Sequence, residues 1–180
     1  MSDHVVLIDI TALNKDWRTL WADADGPTPV LNYRKLVSVV EACTCGRADK
    51  VVALTREPRS AGERRFLDGL TALGWHVTAI GRAQDSWTIE MGTLTAAYLT
   101  QWSMDKRPAQ NALTVVGTGR HLREDVPKLC FLDEDRGIPR VYHAGFQQAG
   151  RMDPAAKRMA HKVIDISNWR EELVAPTKPM

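Results

Sequence analysis

Short, unbroken apolar runs alternate along this chain with longer stretches whose apolar positions recur at three and four. His4–Asp9 (HVVLID) is the first of the runs, rich in β-branched residues and closed by a carboxylate. It predicts a strand buried on both faces, as in a parallel sheet, with Asp9 delivered to the C-terminal edge. Residues 10–14 (ITALN) read as a polar departure lining a crevice, and 15–24 as a short amphipathic helix or structured loop. The stretch 25–29 (DGPTP) ends it, because two prolines and a glycine cannot continue a helix.

The same alternation runs on. Tyr33–Cys43 carries Leu36, Val37, Val39 and Val40 as a helical stripe, with Gly46 as its stop. A second strand is expected over 50–55, then a basic loop over 56–60. A helix over 62–73 places Phe66, Leu67, Leu70 and Leu73 on one face, with Gly74 at its end. A strand over 75–80, a polar connection over 81–87 and a helix over 89–102 follow, the last burying Leu94, Ala97, Tyr98 and Trp102. Ala112–Val116 predicts a fourth strand running into Gly117-Thr118-Gly119. Beyond it come a short helix over 122–132, a fifth strand over 140–143 and a helix over 154–161. Residues 162–166 read as a short sixth strand or an extended end. Strand–helix alternation predicts one three-layer α/β domain over 1–170, with a mainly parallel sheet of about five strands. The proline-containing tail, 171–180, is expected to be loose.

Composition narrows the class without naming a chemistry. At 180 residues with 44% hydrophobic content, the chain has material for one core and one domain. No apolar run spans a bilayer and the start lacks a basic-then-apolar signal, so a cytoplasmic protein with no membrane partner is expected. A net charge of +2 does not by itself announce nucleic acid. Arginines do cluster, however, at 56–65 and again at 120–123. Cys43, Cys45 and Cys130 form no disulfide framework and read as free thiols. Trp17 and Trp21, four apart, are expected to pack on one helix face.

The order of these elements resembles the NYN family, a branch of the PIN-like ribonuclease fold. The likeness rests on VVLIDITALN (5–14), the helix Tyr33–Cys43, DGLTALGWHV (68–77) and LTVVGTG (113–119). RGIPRVY (136–142) and MAHKVIDI (159–166) carry it to the C-terminal part. The resemblance implies a metal-dependent nuclease acting on RNA, in which sheet-edge carboxylates hold Mg²⁺ or Mn²⁺. Asp9 matches the first of those acids. The acid after the third strand falls on Leu94 or a neighbouring threonine, and the two at the fourth strand fall near Thr118 and Arg120. Ala12 replaces the family's loop Asn, with Asn14 close by.

A lone Asp with hydroxyls is a poor cage for a hard dication, whereas a guanidinium receives a phosphate bidentately. The expectation is therefore a nuclease-like domain that binds RNA or another phosphate-bearing partner and has lost efficient cleavage. No cofactor is held tightly in that reading. Arg56, Arg59, Thr118, Gly119, Arg120, His121 and Arg123 would meet phosphate, while Asp9 and Asn14 shape the crevice floor. An active endoribonuclease is the alternative, with Asp9, Glu90 and Asp125, or Asp105, around Mg²⁺ or Mn²⁺ and Asp9 as the metal ligand. A third alternative is a protein-interaction module that uses surface tryptophans and the tail. Asp9 can also serve simply as a helix or loop cap.

Overall fold

In the computed structural model the described residues are 3–81, 86–104, 107–117, 139–149 and 160–176. They hold six strands: β1 (His4–Asp9), β2 (Lys50–Arg56), β3 (His76–Ile80), β4 (Ala112–Val116), β5 (Arg140–Gly145) and β6 (Lys162–Asp165). All pair in parallel, in the order β3-β2-β1-β4-β5-β6. The sheet has one strand more than the five expected, because residues 162–165 take full register on β5, from Tyr142↔Lys162 to Gly145↔Asp165. β1 lies between β2 and β4 with all six residues buried, as an uninterrupted apolar run in a parallel sheet requires.

Among the described residues four α-helices cover the two faces: α1 (Ile10–Leu20), α2 (Tyr33–Cys43), α3 (Ala61–Ala72) and α4 (Ser86–Ser103). Alternate residues of β1 feed separate cores. Val6 and Ile8 pack with Leu13 and Trp17 of α1, Leu36 and Val40 of α2, and Leu70 of α3. Val5 and Leu7 pack with Leu99 and Trp102 of α4. The result is one three-layer α/β domain. Among the described residues no helix is long and apolar enough to cross a membrane.

Residues 10–14, expected to leave the sheet and line a crevice, do line one through Ile10, Thr11 and Asn14, but as the first turns of a helix. α1 begins at Ile10, directly after β1, because Asp9 is its N-cap: Oδ1 accepts the Ala12 N–H at 2.8 Å. Ile10, Leu13 and Trp17 then form its buried stripe. Trp17 and Trp21 do meet, with ring centroids 5.7 Å apart.

The chain end also departs from expectation. Residues 171–176 are not loose, since Leu173 is fully buried and Leu31 bridges Val174. Asn32 N donates to the Leu173 carbonyl and Ala175 N to that of Val30, both at 2.7 Å. Nor are the five tryptophans whose side chains are described fully exposed. Trp17, Trp75 and Trp102 are buried, Trp21 and Trp169 half-buried. The helices expected over 122–132 and 154–161 fall outside the described residues, save Ala160 and His161. His161 donates its backbone N–H to the Val141 carbonyl and leads into β6.

Candidate functional site

The strand order reverses on either side of β1, so the crevice beyond the C-terminal ends of β1 and β4 is the topological switch point where parallel α/β sheets place ligands. The chain brings Asp9 there, 4% exposed. Gly117, just past β4, has φ +140°, and a Cβ built on it would lie 3.0 Å from that of Asp9. A side chain there would have to push Asp9 back by a few tenths of an ångström. His143 of β5, fully buried, donates from Nε2 to the Gly117 carbonyl at 2.9 Å, and Gly117 N donates to Ala144 O. The end of β4 is therefore fixed against Asp9 from two sides.

Two carboxylates at this edge hold backbone. Asp9 caps α1. Asp165, at the end of β6, accepts the N–H groups of Gln147 at 3.1 Å and Ser167 at 3.0 Å on its Oδ1. Among the described residues no three His, Cys, Asp or Glu side chains come together as a metal would need. Of the residues expected at the site, Thr118, Gly119, Arg120, His121, Arg123, Asp125 and Asp105 lie outside the described residues. Glu90 falls within the opening turns of α4, and its side chain is likewise outside them.

The C-terminal edge does carry a cleft, on the β2 side of β1, with a volume of about 570 Å³. α1 contributes Thr11, Asn14, Lys15 and Arg18, spaced 0, 3, 4 and 7 and so on one helix face. That face is opposite the buried stripe. β2 and the loop after it contribute Thr55, Arg56 and Pro58, and α3 contributes Glu63, Phe66 and Leu67. Lys15, Arg18 and Arg56 are all exposed. Among the described residues Glu63 is the single carboxylate in the lining, and its role is local. Ser60, the N-cap of α3, accepts the Glu63 N–H, while Glu63 Oε2 accepts the Arg59 N–H at 2.5 Å just ahead of the helix.

Asn14 is held by the Tyr33 hydroxyl, which donates to its Oδ1. Burial pushes Tyr33 up to about 12, against the opposing pull of the Asn14 hydrogen bond and the Arg18 charge. At neutral pH it is a fixed neutral donor, and Asn14 presents amide N–H groups besides. A cleft with three cations, amide donors and a hydroxyl, Thr11, suits an anion.

Two of the residues expected at the site, Asn14 from the crevice floor and Arg56 from the phosphate ligands, thus meet in one cleft. Arg59 does not line it, although its backbone shapes the start of α3. Lys15 and Arg18 were missed by the sequence reading, which began the helix at residue 15. Counting from Asp9 as the cap puts both on the face of Thr11 and Asn14.

No family model matches the chain, and no curated protein matches it either. Among solved structures, a protein of unknown function from Vibrio parahaemolyticus is similar over 92% of this chain and 93% of its own. The identity is 14% and the TM-score 0.61, a likeness of fold alone.

Proposed function

We propose that this is a nuclease-like domain of the NYN/PIN-like kind that binds RNA or another phosphate-bearing partner, without efficient metal-dependent cleavage. The observation that carries the reading is the cleft beside Arg56, where Lys15, Arg18 and Arg56 face one carboxylate that is already engaged with the backbone ahead of α3. A phosphodiester entering there exchanges water for charge-assisted hydrogen bonds. Metal hydrolysis would need several converging carboxylates. Asp9 and Asp165 instead stabilise the backbone at α1 and at the turn after β6.

Retention of a labelled single-stranded RNA by the full chain tests this. The wild type should bind, and a Lys15→Gln/Arg18→Gln/Arg56→Gln variant should lose most of that binding. Incubation with Mn²⁺ should leave the RNA intact. Cleavage that Asp9→Asn abolishes would overturn the reading in favour of an active endoribonuclease.

A further inference from the structure

The cleft beside Arg56 does not stop at the first turn of α3. Phe66, part of its wall, also lines a shallow apolar groove of about 500 Å³ floored by Tyr33, Leu70 and Leu73. Leu73 and Arg34 at the end of that groove belong in turn to a third depression of about 660 Å³, at the opposite edge of the sheet. Three depressions therefore share walls along one side of α3, whose 12 residues measure about 18 Å.

Charge and aromatic surface are ordered along this track. Lys15, Arg18 and Arg56 stand at one end, Arg34 and Arg47 at the other, where the Lys50 ammonium turns away to the Tyr98 ring of α4, 5.9 Å from its centroid. Two acids share the far end and turn to the backbone: Glu41 accepts the Ala48 N–H at 2.8 Å, and Asp49 accepts that of His4 at 2.8 Å, which leaves the two guanidinium groups as its exposed cationic donors. Between the ends, aromatic rings follow in series. The Phe66 and Tyr33 centroids are 5.3 Å apart, and Tyr33 and Trp75 are 6.1 Å apart. Phe66 and Tyr33 are half-buried, so each keeps part of its surface towards solvent.

We propose that the three depressions work as one track along α3 for an extended single-stranded nucleic acid. Phosphates meet Lys15, Arg18 and Arg56 at one end and the Arg34 and Arg47 guanidinium groups at the other, and bases lie against the Phe66–Tyr33 surface between them. The proposal rests on the phosphate-binding reading of the Arg56 cleft and adds to it a direction and a minimum length. Separated cations with aromatic surface between them match a strand whose bases are unstacked and available. A duplex keeps its base faces inside, out of reach of the rings. An acidic peptide would satisfy the ends but make no use of the ring faces.

The test compares a uridine dodecamer with a uridine dinucleotide on the full chain and on an Arg34→Gln/Arg47→Gln variant. Both arginines are exposed, so the fold is retained. The variant should bind the dodecamer more weakly, with a log-affinity against log-salt slope flatter by about 0.7 per arginine. Its affinity for the dinucleotide, which fills the near end alone, should be unchanged. Phe66→Leu, which keeps apolar bulk, should weaken the dodecamer about tenfold. If Arg34→Gln/Arg47→Gln binds the dodecamer with unaltered affinity and slope while Lys15→Gln/Arg18→Gln/Arg56→Gln does not bind it, the track is refuted and the near cleft stands. Equal displacement of the dodecamer by polyglutamate overturns a nucleic-acid occupant. A wild-type chain that binds neither oligonucleotide overturns both readings.

Discussion

Gly117 is the residue on which the crevice geometry turns. Its φ of +140° disfavours any side chain, and the 3.0 Å approach to the Asp9 Cβ would force Asp9 to give way to one. Gly117→Ala should lower stability by about 1–3 kcal/mol, read as a shifted denaturant midpoint at unchanged slope. Asp9 at that contact is a cap, and Asn serves as a cap equally well. Asp9→Asn should therefore leave stability nearly unchanged, while Asp9→Ala costs about 1 kcal/mol. Tyr33 sets a pH limit. Its pKa is about 12 in the fold, raised by burial from an unfolded value near 10. The neutral hydroxyl is what the fold favours, so this contribution is complete below about pH 10 and is lost as the pH climbs towards about 12. Thermal midpoints followed from about pH 9 to about pH 12 should fall in that window for the wild type and less so for Tyr33→Phe.

At the scale of elements, the sequence discloses what depends on local periodicity. α2 and β4 fall on Tyr33–Cys43 and Ala112–Val116 as their patterns predict, and the stripe Leu36, Val37, Val39 and Val40 is buried. α1 was legible only from residue 15. Asp9 ends a strand and caps a helix at once, and Ile10-Thr11 directly after a strand gives no helical signal of its own. The clue was the spacing of Ile10, Leu13 and Trp17, and misplacing the start hid Lys15 and Arg18 from the site. The C-terminal segment escaped for a different reason. Its pairing with residues 30–32 is far removed in sequence, and two later prolines suggested only a tail. Leu173 is fully buried there, so Leu173→Ala should cost about 2–5 kcal/mol, whereas a loose tail would register no loss in a denaturant titration.

Across the whole molecule, the described sheet edge separates its charges by role. Acids cap and tie backbone at Asp9, Asp165 and Glu63, while Lys15, Arg18 and Arg56 converge on open space. With a net charge of only +2, long-range attraction is weak, so affinity for a polyanion has to come from this local grouping. The most direct measurement is the affinity for a single-stranded RNA across a range of salt concentrations, for the wild type and for Lys15→Gln/Arg18→Gln/Arg56→Gln. The account predicts steep weakening for the wild type and a slope flatter by about 2 in the variant, since each phosphate contact on a single strand contributes about 0.7. A flat response in the wild type, or a slope the three substitutions leave untouched, would contradict it.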